Sequence, residues 1–165
     1  MEISLRPATR EDVPAILEIS NHAILHTTAN YEHEPKSLEY QLGWYDDRID
    51  AGFPIIVAVD EKSMVVGYGS FGKFRKRQGY NGTVEHSVYV HHEHRGQKIG
   101  HQLMQRLIDI AKAENYHVMV AVVDSLNQGS LRFHKRFGFK EVGRLKGIVY
   151  KFGQWSDIYF LQLML

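Results

Sequence analysis

Val88-Tyr89-Val90-His91-His92-Glu93-His94-Arg95-Gly96-Gln97-Lys98-Ile99-Gly100 carries a strand into a long helix through a turn rich in basic residues and glycine. Upstream, Thr83–Val90 has the β-branched and aromatic content of a strand. Downstream, Gly96–Glu114 puts Leu103, Leu107, Ile108 and Ala111 on one helical face. The apolar run Val118–Val123 then suits a strand buried on both faces. Thr83 to Val123 therefore predicts a strand–helix–strand unit, a right-handed parallel crossover. At its turn, the N–H groups of the helix start are unpaired and partly positive. Glycines let a phosphate approach that backbone, and Arg95 and Lys98 add charge beside it. Two readings stand, a pyrophosphate cradle and an ordinary strand–helix turn with solvated charges. No Gly-Lys-Ser/Thr follows, so it is not a P-loop. Two glycines where three are wanted make it a poor dinucleotide fingerprint.

Outward from this unit the chain alternates the same way. Ile3, Leu5 and Pro7 suggest a first strand, and Thr9-Arg10-Glu11-Asp12 resembles a capping box with Asp in place of Glu. Val13, Ile16, Leu17 and Ile24 recur at helical spacing. Ser37 is a cap for a second helix carrying Leu38, Leu42, Tyr45 and Ile49, with Gly52 as its stop. Ile55–Val59 and Met64–Phe71 read as a hairpin. A short helix from about Asn127 to Arg136 stops at Gly138. Phe139–Leu145 and Asp157–Met164 read as antiparallel strands around a Gly153-Gln154-Trp155 turn. The fold class is α/β, with one mixed sheet in one domain, residues 1–165, and no repeat or linker-like tract.

The 165 residues suffice for one substantial core. Apolar residues at 44% and charged residues at 24% belong to a globular chain and not to a disordered one. The absence of cysteine excludes disulfides, thiolate metal sites and cysteine nucleophiles. Phe53–Val59 and Val118–Val123 are too short to cross a bilayer, and no signal peptide follows Met1, so a cytoplasmic protein is expected. With 20 basic against 19 acidic side chains, no overall charge draws the chain to nucleic acid or membrane. His91, His92, His94 and His101 lack the spacing of a metal site, and none is expected.

Arg95-Gly96-Gln97-Lys98-Ile99-Gly100 resembles the Gln/Arg-x-x-Gly-x-Gly/Ala hallmark of the GNAT superfamily of acetyl-CoA-dependent N-acetyltransferases, with Lys98 in place of the middle glycine. A wider resemblance spans almost the whole chain. Arg6-Pro7-Ala8-Thr9, Ile19 to Ala23, Gly67 to Gly72, Thr83 to Val90, His134 to Phe139, and Lys151 to Trp155 with Leu161-Gln162-Leu163 are similar to the phosphinothricin acetyltransferase family. Its members include acetyltransferases of methionine sulfoximine and sulfone. The resemblance implies a single GNAT domain: a mixed, mostly antiparallel sheet, splayed into a V-shaped acetyl-CoA cleft and flanked by helices. It implies acetyl transfer to the α-amine of a small amino-acid analogue, and a homodimer; Phe152 and Trp155 are read either as part of that contact or as a core hairpin.

On that resemblance Glu85 is the candidate general base, since an ammonium must lose a proton before it attacks. Strand alternation places Glu85, Ser87 and Tyr89 on one sheet face and Val84, His86, Val88 and Val90 on the other. The plainer reading of Glu85 is a carboxylate on a solvated face. Val88, Tyr89 and Val90 are expected to pair by backbone with the pantetheine arm, as an added strand would. Ser87 and Ser130 join them as cofactor contacts, with Arg95 to Gly100 on the pyrophosphate. Asn127 is either a cofactor contact or a helix N-cap, and one residue has atoms for both. His134 stands where many GNAT enzymes place a tyrosine that protonates the leaving thiolate. An unperturbed imidazole near ~6.5 suits that task. Its alternative is a plain hydrogen-bonded wall residue. Arg75, in the basic run Lys73 to Arg77, is the candidate clamp for a substrate carboxylate, with Phe74 and Tyr31 beside the acceptor, and Glu32 near Tyr31. Acetylation of another small amine or antibiotic, and a non-catalytic CoA-binding sensor, are the competing functions.

Overall fold

The computed structural model describes residues 1–165. The hydrophobic runs become seven strands of one sheet, and the helically spaced runs become four helices. In chain order these are β1 (Ser4–Pro7), α1 (Val13–His26), α2 (Leu38–Asp50), β2 (Ile55–Val59), β3 (Val65–Lys73), β4 (Thr83–Val90), α3 (Ile99–Ala113), β5 (Val118–Asp124), α4 (Gln128–Arg136), β6 (Lys140–Lys151) and β7 (Gln154–Met164). The sheet order is β1-β2-β3-β4-β5-β7-β6. Every neighbouring pair is antiparallel except β4 with β5.

Local signals account for most boundaries. Asp12 accepts the Thr9 N–H at 2.7 Å and a two-pronged bond from Arg6, which fixes the entry to α1. Ser37 Oγ accepts the Tyr40 N–H at 3.1 Å and starts α2. Gly52, at φ +80°, lets the chain turn away from α2. At the last hairpin the turn is Phe152-Gly153, both with positive φ, between the paired Lys151 and Gln154. Gln154 and Trp155, expected in that turn, already belong to β7. Strands β6 and β7 also run longer than their apolar patterns, because ladder pairing carries polar residues along.

Two cores cover the two sheet faces. Helix α3 lays Ile99, Leu103, Met104, Leu107, Ile108 and Ala111 on one face, against Phe71, Val84, Met119 and Leu161. Val57, Tyr68, Ile16 and Ile19 pack on the opposite face. Gly69 permits the α3 contact: a Cβ there would lie 3.0 Å from Leu107 Cδ1.

The feature that makes a site is where pairing stops. β4 and β5 share register at Thr83↔Val118, Val84↔Met119 and Glu85↔Val120, and nowhere beyond. From His86 to Val90, β4 keeps its bonds to β3 but has no partner on its other edge. The sheet therefore opens into a V immediately after Glu85, as the splayed fold expected from the sequence requires.

Candidate active site

The open V holds a cavity of ≈ 420 Å³ whose walls include Glu85, His86, Ser87, Val88 and Tyr89 of β4 and Val122 to Asp124 of β5. A second cavity continues it past Val88, Tyr89 and Val90 to Arg95, with Asn127 on both. A groove from a carboxylate to the glycine turn thus runs along the unpaired edge of β4.

Glu85 sits at the vertex. Burial pushes its carboxyl above the usual carboxylate range, and the positive charges of Arg75 and Arg48 pull it part of the way back. Opposite it on β3 is Gly72, where a Cβ would lie 2.8 Å from Arg48 Nη1. Glycine at that point lets the Arg48 guanidinium cross the strand. Arg48 hydrogen-bonds Ser70 Oγ at 3.2 Å and stacks over Trp44.

His134 is buried, with 6% exposure. Its Nδ1 lies 2.7 Å from the Ser130 carbonyl oxygen. A carbonyl only accepts, so Nδ1 carries the proton. Burial pushes the imidazole below its ordinary value, with the Ser130 bond pulling the other way. A lowered imidazole is mostly neutral near pH 7, more so than an unperturbed one near ~6.5.

Asn127 is the N-cap of α4, its Oδ1 accepting the Ser130 N–H at 3.0 Å. Its Nδ2 remains for the groove, so both sequence readings find atoms. Ser130 lines the cleft beside it. The glycine turn forms as expected, with Gly96 at φ +79° and Ile99, the first residue of α3, buried in the core. Lys98 adopts φ +61°, ψ +16°, the left-handed conformation that the missing glycine would have supplied freely. No side chain caps α3, so its first amides, around Ile99 and Gly100, are open to an anion. Arg95, Gln97 and Lys98 are exposed around them.

Tyr31 reaches the cleft, its hydroxyl donating to Asp124 Oδ2 at 2.9 Å. Burial, then this bond, raises its pKa. Glu32 points away and pairs with Lys36. Arg75 and Phe74 do not line the cleft: the guanidinium is exposed, bonded to the Phe74 carbonyl and stacked on the Phe74 ring at 4.2 Å. Its charge nonetheless reaches Glu85 more strongly than that of Arg48. The cations on the cleft wall itself are Arg48 and Lys73.

Sequence reasoning missed four participants. Arg48 sits among other charges on α2 and carries no motif. Asp124, 3% exposed, ends an apolar run, yet accepts from Tyr31, Ser156 Oγ and the Leu126 N–H. Lys151 is buried and donates to the carbonyls of Thr27 and Asn30, pinning the loop that carries Tyr31. His86 alternates correctly onto the α4 side, but nothing local announces its partner. Near the glycine turn, His22 stacks on His92 at 4.0 Å and His91 on His92 at 4.6 Å. No group of three or more His, Asp or Glu is placed to hold a metal ion. No helix is long and apolar enough to cross a membrane.

Residues 17–139 match the model of the acetyltransferase (GNAT) family. The chain is 44% identical over 165 residues to the L-methionine sulfoximine/L-methionine sulfone acetyltransferase of Pseudomonas aeruginosa, covering all of this chain and 96% of that one. A protein from Salmonella typhimurium, solved with acetyl-CoA as its cofactor, superposes with a TM-score of 0.96 at 42% identity, covering 100% of this chain and 95% of the other. A phosphinothricin acetyltransferase from Sinorhizobium meliloti, in complex with acetyl-CoA, gives 0.97 at 33% identity over 100% and 89%.

Proposed function

The chain belongs to the GNAT acetyltransferase family, and on that premise we propose that it acetylates the α-amino group of a small amino-acid analogue such as methionine sulfoximine, methionine sulfone or phosphinothricin. The observation that carries this reading is the vertex. β4 parts from β5 directly after Glu85, so a half-buried carboxylate stands at the head of an open strand edge that leads to an uncapped helix N-terminus.

Those features fit acetyl-CoA, which supplies the acetyl group as a thioester. The amides around Ile99 and Gly100, with Arg95, Gly96, Gln97 and Lys98, receive the pyrophosphate. Ser87 and the backbone of Val88 to Val90 hold the pantetheine arm as an added strand, with Asn127 Nδ2 and Ser130 across the groove. Glu85 takes the proton from the substrate ammonium, directly or through a water; its raised pKa makes it a better base than an exposed carboxylate. Arg48 and Lys73 on the wall, with Arg75 at the rim, offer the positive charge that an α-carboxylate needs, and Tyr31 closes the far side. His134 is the candidate proton donor to the leaving sulfur. Its Nδ1 faces the Ser130 carbonyl and its Nε2 faces His86 Nε2, so it can take up and pass on a proton only when the His86 contact opens.

The β6–β7 hairpin leaves Val142, Ile148, Tyr150, Phe152 and Trp155 exposed, the last two at 57% and 66%. These side chains support a homodimer through this face.

The test is thiol release from acetyl-CoA against a panel of amines: phosphinothricin, methionine sulfoximine, methionine sulfone, ordinary amino acids and a lysine peptide. Turnover confined to the glutamate and methionine analogues is the expected result. Acetyl-CoA binding without turnover on any amine would favour a sensor instead.

A further inference from the structure

His86 is the first residue of β4 beyond the last register shared with β5. Its Nε2 lies 2.9 Å from His134 Nε2 on α4. His134 Nδ1 already carries a proton toward the Ser130 carbonyl, so the neutral His134 Nε2 is a lone pair. The proton between the two rings therefore belongs to His86, and His86 donates. His86 Nδ1 is then unprotonated, and it is a buried polar atom with no hydrogen-bond partner. Both rings pack edge-on against Phe139, at 5.7 and 5.2 Å between centroids. The contact thus ties β4 to α4 across the gap where the backbone ladder has ended.

We propose that His86 is a positioning residue: its Nε2–H clasps His134, fixes the Nδ1–H tautomer, and holds α4, with Asn127 and Ser130, at a set distance from the open edge of β4. The kinetic consequence rests on the reading of this cleft as the acetyl-transfer site; the clasp itself does not.

The arrangement resists a proton. An added proton must go to the partnerless His86 Nδ1 or displace the one shared between the rings. Burial lowers the basicity of both rings, and the charge of a protonated His134 would lower that of His86 further. Other charged and titratable groups on the same cleft do not engage the pair. Tyr31 and Asp124 bond each other, Glu85 alternates to the opposite sheet face, and Arg48 and Lys73 stand on the α2 and β3 wall. His86 is accordingly the group whose removal should change His134.

The experiment uses the full chain and two variants. His86→Leu keeps apolar packing on Phe139 and loses the donor; His86→Gln restores a neutral donor that never titrates. Nitrogen-15 NMR of the His134 ring is read across pH. In the wild type, His134 should show a protonated Nδ1 and a bare Nε2. His86→Leu should show mixed tautomers, with the His134 titration moved up by about one unit or more; His86→Gln should keep the wild-type tautomer. Kinetically, His86→Leu should raise KM for acetyl-CoA several-fold more than it lowers kcat, with His86→Gln largely rescuing the KM. A His134 tautomer and titration unchanged in His86→Leu would overturn the proposal. The NMR result stands whether or not any amine is acetylated, so loss of the clasp and loss of the acetyl-transfer reading are distinguishable.

Discussion

Glu85 is half-buried, and burial raises the energy of its ionised form. If it is the base, Glu85→Gln should lower kcat by about 10²–10⁴ and leave acetyl-CoA affinity near wild type. Wild-type kcat/KM should climb with pH through a midpoint above ~4.3, the ordinary glutamate value, because the carboxylate must be ionised to act. The same shift has a stability consequence of opposite sense. A carboxyl whose folded pKa is raised costs stability once ionised, so Glu85→Gln should melt higher than wild type at pH 7. That advantage should fade as pH falls through the raised folded value, and be gone below ~4.3, where Glu85 is protonated in both states. His86 and His134 act in the other direction. Burial lowers both, His86 to about 3, so their neutral forms stabilise the fold above ~6.5. Denaturation midpoints should drop as pH falls below that value, and less steeply in His86→Gln. The place of Glu85 in mid-strand was legible from alternation. The His86 partner was not, because 48 residues of chain separate two rings that meet only after β4, β5 and α4 have assembled.

Elements carry the next layer. The α3 turn places Lys98 in the left-handed region, where a β-carbon crowds the backbone by ~1–2 kcal/mol. Lys98→Gly should therefore stabilise the chain by up to about 1 kcal/mol, the gain being offset by the extra freedom of unfolded glycine. Its loss of one cation should weaken acetyl-CoA binding at low salt more than at high salt. Calorimetry and a salt series on KM check both. On β3, a β-carbon at Gly69 would lie 3.0 Å from Leu107 Cδ1 and 3.3 Å from Val88 Cγ2, so both must give way to admit it. Gly69→Ala should cost about 1–3 kcal/mol in chemical denaturation, because a close-packed interface must shift to admit it. The Arg95–Gly100 turn was readable as a strand-to-helix junction that suits phosphate. The left-handed angle at Lys98 was not, since a lysine at that position predicts the more common conformation.

At the scale of the whole molecule, the exposed apolar side chains of the β6–β7 hairpin are gathered on the sheet edge remote from β1. If two copies pair there, Trp155→Glu should shift the protein from dimer to monomer in analytical ultracentrifugation while leaving the circular dichroism unchanged. Phe152 and Trp155 had two readings in the sequence, core hairpin and intermolecular contact; their exposure argues against the first.

Most elements follow from the residues alone, because hydrophobic period, helix caps and glycine stops are local properties of the chain. The sequence also carried the order of strands and helices, the glycine turn and Glu85 at mid-strand. The location of the site comes from how the strands assemble. The cleft exists because β4 and β5 share three register pairs and then part, and register is a property of two strands rather than of either one. Arg48 crossing Gly72, Asp124 under Tyr31, Lys151 beneath the Thr27–Asn30 carbonyls and His86 against His134 follow for the same reason. Each is a contact between distant parts of the chain, set by how the layers pack and unmarked in the residues on either side.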